Sequence, residues 1–477
     1  MLLLTIIFLI FLTSFALSIN LSLLNLLILL FSLYGIFLII LKFLFRLELA
    51  PVNDILQMYG DTEKTRCYIM TGIIFENQID EQEFIGKIKE RALMHPYYEK
   101  LTKSLQIYSK IFLLGVWKKT NNFNIDQHVI INRAVIRNYD HFCETMASQL
   151  SDLNLPGEIP QWRFYIYPNF EGGKSALIMK IHHAYIDGIS GFAYFLNLTD
   201  SKNYNFINLP KVKKWMLPFA YLIGFFQMLY VFPKTLFSKH DEKPFHKGKL
   251  TGKKEIYSME VCNLDEIKRF SKPNAVTIND TLVAVLNETI RQHSLDIYNH
   301  EIKDLYMMIP YSLRPMPTPE IHYPLKNNSA VFQLNIPIFS GKQILTVIKD
   351  TSKLFSKIKY SYENYVVPYA LEALNLIFPP LVTKYIVKRI AQKVSVVCTN
   401  VPGPIDEIKC FGKHPVESIV ATVNLFFDVE LVFCIVSYNR KIALTCIADT
   451  SINFNAKIFV EKYRSFLRND VLNLKLK

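Results

Sequence analysis

The chain has 477 residues, 51% hydrophobic and 20% charged, which excludes a disulfide-stapled miniprotein and a disordered polymer and allows several domains with large cores. Lys and Arg outnumber Asp and Glu by 54 to 41, a formal charge of +13 that favours anionic partners such as anionic lipid or a phosphate-bearing substrate. No basic stripe interleaved with aromatic residues appears, so no nucleic-acid partner is expected, and the seven scattered cysteines, with no C-x-x-C pair, read as reduced thiols on a cytosol-facing body.

Residues 1–41 carry no charged side chain until Lys42 and Arg46. Residues 1–46 are therefore expected to be a membrane anchor, either one transmembrane helix with an apolar lead-in or two spans over 2–17 and 21–41 split at Ser18-Ile19-Asn20. A cleaved secretory signal fits less well, because the positive n-region is missing. Lys42 and Arg46 would place the body that follows in the cytosol.

Residues 47–210 mix strand and helix patterns as one α/β domain, including an amphipathic run over 81–94 with Phe84, Ile85, Ile88 and Leu93 against Glu81, Lys87, Lys89 and Glu90. A linker over 211–250 holds a second apolar stretch, 215–237, interrupted by Pro218, Gly224, Gln227 and Pro233 and preceded by Lys211, Lys213 and Lys214. It reads as a membrane-associating interfacial helix, as a further span, or as a buried interdomain helix. In the second α/β region, 251–477, Thr277-Ile278-Asn279-Asp280 predicts a capping box opening a helix with Leu282, Leu286 and Ile290 on one face. Strands follow over 394–398, 418–427 and 431–438, with Asn439-Arg440 as a hairpin turn into 442–448, and a last helix over 455–467.

The run from Ala176 to Gly191 reads as strand, turn and helix start, and it carries His182, His183, Asp187 and Gly188. Side chains alternate across a strand, so His183 shares a face with Ile181, Met179 and Leu177, while His182 shares the other with Lys180 and Ile178. Two imidazoles pointing apart do not converge on one ion, so no metal site is expected. Asp187, four residues beyond His183, can fold back across the turn or cap the next helix, and Gly188 suits a turn that a Cβ would obstruct.

His182-His183-x-x-x-Asp187-Gly188 resembles the HHxxxDG motif of the wax ester synthase/diacylglycerol acyltransferase family and, more widely, of the CoA-dependent acyltransferase superfamily. Further matches follow in order: Pro51-Val52-Asn53-Asp54, His95-Pro96, Phe123-x-Ile125-Asp126-x-His128-Val129 and Pro160-Gln161-Trp162, where Gln replaces the family's Leu. Asn279-Asp280, Pro310-Tyr311-Ser312-Leu313-Arg314, Thr399-Asn400-Val401-Pro402-Gly403-Pro404 and Ser437-Tyr438 complete the set. The long apolar N-terminus departs from the soluble bacterial members.

The resemblance implies an α/β fold of two chloramphenicol-acetyltransferase-like CoA-dependent acyltransferase domains with a crossover linker and a catalytic histidine in a channel between them. It implies acyl-CoA as co-substrate with no permanently bound cofactor, and a long-chain alcohol or diacylglycerol as acceptor. In that reading His183 is the general base, with His182 and Gly188 beside it in the motif. Asp187 organises the site with Arg314 as its candidate partner, and Asn279 and Asp280 are candidates for binding substrate or the oxyanion. A membrane location follows, expected at the endoplasmic reticulum with membrane lipids as partners and contact with lipid droplets. Two rivals remain: a related acyltransferase with another acceptor, and a silent lipid-binding protein of the same fold, against which the intact His183, Asp187 and Gly188 argue. The motifs set neither oligomeric state nor acyl length, and they do not rank the two acceptors.

Overall fold

The computed structural model describes residues 23–93, 95–109, 114–153, 155–199, 217–237, 245, 249–299, 301–302, 304–311, 324–327, 330–337, 341–359, 361–362, 366, 380–424 and 429–474. In chain order its strands are β1 (Tyr68–Phe75), β2 (Lys103–Ser109), β3 (Leu114–Lys119), β4 (Val129–Ile131), β5 (Trp162–Phe170), β6 (Lys174–His182) and β7 (Lys254–Asn263). They continue as β8 (Asp304–Tyr311), β9 (Ala330–Pro337), β10 (Val396–Pro402), β11 (Lys409–Cys410), β12 (His414–Val423), β13 (Leu431–Tyr438) and β14 (Lys441–Asp449). Two six-stranded sheets result, ordered β11-β12-β1-β6-β5-β4 and β7-β14-β13-β10-β8-β9, with β2 and β3 as a separate hairpin.

The first sheet is not built from the N-terminal half alone. Strand β12 pairs antiparallel with β1, Ile73 opposite Ile419, so residues 409–423 cross over from the C-terminal half and close the sheet. Residues 409–423 thus lie beyond the expected division at 250 in the chain but in the sheet of the N-terminal half in space.

Strand β6 is covered on both faces and reads as a nearly continuous apolar run, as a central strand should. Leu177, Met179 and Ile181 enter one core cluster with Phe164 and Trp162, while Ala176 and Ile178 enter another with Phe142 and Met146. Its one buried charge, Lys180, lies at the C-terminal end of the helix Tyr139–Ser151 and donates to the Gln149 carbonyl at 2.7 Å. An ammonium there satisfies carbonyls that the helix leaves unpaired and meets the negative end of its dipole.

In the second sheet the hairpin turn falls as expected: Asn439 and Arg440 both take positive φ, 45° and 60°, between β13 and β14. The capping box at Thr277 also forms, opening the helix Ile278–Tyr298 with Leu282, Leu286 and Ile290 buried.

The expected transmembrane anchor is corrected. Among the described residues no helix is long and apolar enough to cross a membrane. Residues 1–22 lie outside the described residues, and the helix Leu23–Phe43 turns its C-terminal end onto the protein, with Phe37 and Leu41 buried against Leu114 beside Tyr108, Leu47 and Leu49. The helix Leu217–Phe237 is docked along one edge, where Gly224 lies so close to Tyr362 that a Cβ would sit 2.3 Å from its carbonyl oxygen. Lys393 donates to the Leu236 carbonyl at 2.8 Å. It is not a buried interdomain helix, because Phe219, Phe226 and Tyr230 are more than half exposed, at 63%, 61% and 67%.

Candidate active site

The paired histidines end β6, and nearly every polar backbone group of the turn beyond them is tied down. The His182 amide donates to the Gln161 carbonyl at 2.9 Å, the His183 amide to the Cys67 carbonyl at 2.7 Å and the Tyr185 amide to the His182 carbonyl at 2.9 Å. The Ala184 amide donates to His182 Nδ1 at 3.1 Å. With Nδ1 accepting, Nε2 is the ring's donor and faces both Asp61 carboxylate oxygens at 3.1 and 3.2 Å. Asp61 Oδ1 also accepts from the Cys67 amide at 2.9 Å, so one carboxylate joins the two strands that flank the turn. His182 is fully buried and holds the turn from within.

His183 points to the opposite face, as the strand alternation predicts. It is half-buried, its Nδ1 enclosed without a hydrogen-bond partner among the described residues, so the accessible edge of the ring lies elsewhere than Nδ1. Burial holds its pKa below the ordinary value, against an opposing pull from the Asp187 charge. A neutral imidazole able to accept a proton is the form this environment favours.

Asp187 caps the helix Gly188–Asn197: its Oδ1 accepts from the Ser190 amide at 2.9 Å and from the Ser190 hydroxyl at 2.9 Å. The same turn reaches into the C-terminal half, since the Asp187 amide and Ser190 Oγ lie 3.2 and 2.7 Å from the Lys326 carbonyl. Arg314, its expected partner, lies outside the described residues. Gly188 corrects its expected rationale: its φ is not positive, and an added Cβ would meet only Val401 Cγ2, at 3.9 Å. The close approach instead falls at Gly403, where a Cβ would sit 2.1 Å from the Ser437 carbonyl oxygen and 3.6 Å from Phe192 on the helix after the motif.

These contacts bring the motif turn against the 400–404 turn, and that turn leads to Asn279. Asn400 Nδ2 donates to Asn279 Oδ1 at 3.0 Å, which fixes the Asn279 amide and leaves its NH2 group as a donor. Asp280 is taken up by the fold: Oδ2 accepts from the Thr277 amide at 3.0 Å and from the Ser352 hydroxyl at 2.7 Å. Two further motif positions are built into the core. His128 stacks between Phe123 and Trp162, its pKa lowered by burial to about 4. Gln161, standing where the family has Leu, is buried with its amide donating to the Pro156 and Ile159 carbonyls at 2.6 and 2.9 Å.

Asp61 and Asn400 as side-chain partners were not marked as site residues by the sequence. Asp61 is 121 positions from His182 and Asn400 is 121 from Asn279, separations at which no local pattern operates.

Two α/β halves meet at the strand-end histidine turn, a fold shared with solved acyltransferase and condensation-domain structures. Similar solved structures include the wax ester synthase/diacylglycerol acyltransferase from Marinobacter aquaeolei, with a TM-score of 0.61 and 16% identity over 88% of this chain and 98% of that one. The first condensation domain of the CDA synthetase aligns with a TM-score of 0.58 and 10% identity, covering 90% of this chain and 96% of its own.

The sequence profile of the wax ester synthase/diacylglycerol acyltransferase catalytic domain matches residues 53–208, and that of the WS/DGAT C-terminal domain matches 325–468. The chain belongs to the wax ester synthase/diacylglycerol acyltransferase family. Among curated relatives, wax ester synthase/diacylglycerol acyltransferase 9 of Arabidopsis thaliana is 22% identical over 412 residues, 76% of this chain and 83% of that protein. Number 6 of the same plant is 22% identical over 283 residues, 52% of this chain, so that the match spans only 54% of that relative's length. A protein described as a diacylglycerol O-acyltransferase of Mycobacterium tuberculosis is 22% identical over 410 residues, 78% of this chain and 89% of its own.

Proposed function

We propose that the chain transfers a fatty acyl group from acyl-CoA to the hydroxyl of a long-chain alcohol or a diacylglycerol, with His183 as the general base. The observation that carries this reading is the His183 ring itself: half-buried, held below its ordinary pKa, and projected from a closely tied turn at the junction of the two halves.

In the reaction His183 takes the hydroxyl proton as the acceptor oxygen attacks the thioester carbonyl. The tetrahedral oxyanion collapses, the carbon–sulfur bond breaks, and the proton passes from the imidazolium to the departing CoA thiolate. The products are an ester and free CoA, and no acyl-enzyme is formed. A positioned base contributes about 10² to 10⁴ in rate, and holding both substrates in register supplies much of the rest. The NH2 of Asn279, an amide whose oxygen is fixed by Asn400, is the side-chain donor assigned to the oxyanion. Asp187 and His182 position the turn, and acyl-CoA is consumed as a substrate with no resident cofactor.

The same reading places the protein at a membrane surface, expected to be the endoplasmic reticulum with the catalytic body on the cytosolic side, because substrate and product are both lipids. The exposed Phe219, Phe226 and Tyr230, with Lys234 over the Tyr230 ring, support surface contact without a span. Radiolabelled palmitoyl-CoA offered with hexadecanol and diacylglycerol in parallel tests the function. Labelled wax ester or triacylglycerol is the expected product, and its absence from folded protein with both acceptors would overturn the proposal.

A further inference from the structure

Beneath the histidine turn lies a buried ionic cluster that the mechanism above does not use. Asp54, in the helix Val52–Tyr59, is almost fully enclosed, and its Oδ2 accepts from Lys100 Nζ at 2.8 Å and from Trp117 Nε1 at 3.1 Å. Lys100 comes from the 3₁₀ turn Pro96–Thr102, and its side chain is 14% exposed. Its Nζ also lies 2.8 Å from the Ala184 carbonyl and 3.4 Å from the Tyr185 carbonyl, and it sits over the Trp117 ring at 4.4 Å.

Three acceptors around one Nζ match the three N–H donors of an ammonium. Burial pulls both partners toward their neutral forms, Asp54 up and Lys100 down, and each one's charge pulls the other back toward the ionised form. Such a pair is a poor source of stability, because removing both charges from water costs about as much as their attraction returns. What this pair does hold is direction. The two carbonyls belong to the residues immediately after His183, and together with the amide bonds of His183, Ala184 and Tyr185 they fix the peptide planes on both sides of the turn.

We propose that Lys100 is a positioning residue that clamps the His183 turn through the Ala184 and Tyr185 carbonyl oxygens, with Asp54 and Trp117 holding the ammonium in place. The inference rests on the acyl-transfer reading for its consequence in rate, and on geometry alone for the clamp. Asp54 stands in the Pro-Val-Asn-Asp segment that the sequence matches bring out, and the clamp gives that segment a physical purpose.

The test compares Lys100→Met, Lys100→Arg and the double variant Asp54→Asn, Lys100→Met. The double variant removes both charges together while an Asn oxygen still accepts from Trp117, so it leaves no unpaired buried charge and folds where the single variant does not. Displacing a base by about 1 Å costs about 10²-fold in rate, so the double variant is expected to lose about that factor in kcat, with KM for acyl-CoA unchanged. Lys100→Arg, which keeps a cation with several N–H donors, is expected to recover part of the loss. Hydrogen exchange adds a readout independent of activity: amides over 181–188 exchange faster in the double variant, while other segments keep their wild-type rates. Wild-type kcat and exchange in the double variant would overturn the clamp. A wild-type enzyme inactive with every acceptor would instead sink the acyl-transfer reading, and the exchange data would still judge the clamp.

Discussion

Replacing His182 separates its work from that of His183. Its Nδ1 accepts from the buried Ala184 amide at 3.1 Å, and its Nε2 donates to Asp61 at 3.1 Å. Asn in its place keeps an oxygen near the Nδ1 position but withdraws the donor from Asp61. A hydrogen bond to a charged group is worth about 1.5–3 kcal/mol, and the lower end applies here because the Asp61 side chain, 18% exposed, can turn to water. His182→Asn is therefore expected to cost about 1.5 kcal/mol. His182→Ala loses both bonds, leaves the Ala184 amide without an acceptor and opens a cavity the size of an imidazole, for a loss of about 4 kcal/mol. Urea unfolding at neutral pH reads both as shifts in midpoint at constant slope. The folded Asn variant keeps most of its transfer activity, since the proton-accepting ring is untouched. An Asn variant as stable as wild type but as inactive as a His183 variant would refute the division of labour.

The pH profile follows from the sign of the His183 shift. Only the neutral ring can act as base, and burial holds its pKa below the ordinary value of about 6.5, so the acid limb of kcat/KM is expected to be centred below pH 6.5, with the rate rising toward its plateau as pH increases. An acid limb centred above 6.5 contradicts the burial argument. Gly403→Ala places a methyl 2.1 Å from the Ser437 carbonyl oxygen, and because the obstacle is backbone the turn must shift, at a cost of about 1–3 kcal/mol. A thermal melt unchanged from wild type would refute the close approach, and a drop in kcat should accompany the expected loss because Val401 of the same turn lies 3.9 Å from where a Cβ on Gly188 would sit.

Local signals carried much of the fold. Strand β13 was readable at its bounds, Leu431–Tyr438, because a short continuous apolar run ends at a hairpin turn and is flanked by polar residues. The capping box at Thr277 was legible because it is a contact within four residues. The motif geometry was legible too, since opposite faces for adjacent histidines follow from strand periodicity alone. What escaped is what folding brings together from afar. Nothing local announces that 409–423 completes the first sheet, that Asp61 meets His182, or that Lys100 meets the turn after His183. The apolar N-terminal run misled for a related reason: composition measures apolar length but not what covers it, and Phe37 and Leu41 are covered by protein.

The most direct test of the account is transfer of labelled palmitate from palmitoyl-CoA to hexadecanol and diacylglycerol by wild type and by His183→Gln, with folding of both confirmed by thermal melts. The variant is expected to melt as wild type does and to form ester at a rate lower by about 10² to 10⁴, with release of CoA falling in parallel. Ester formation at the wild-type rate by the folded His183→Gln protein would contradict the assignment of His183 as the base.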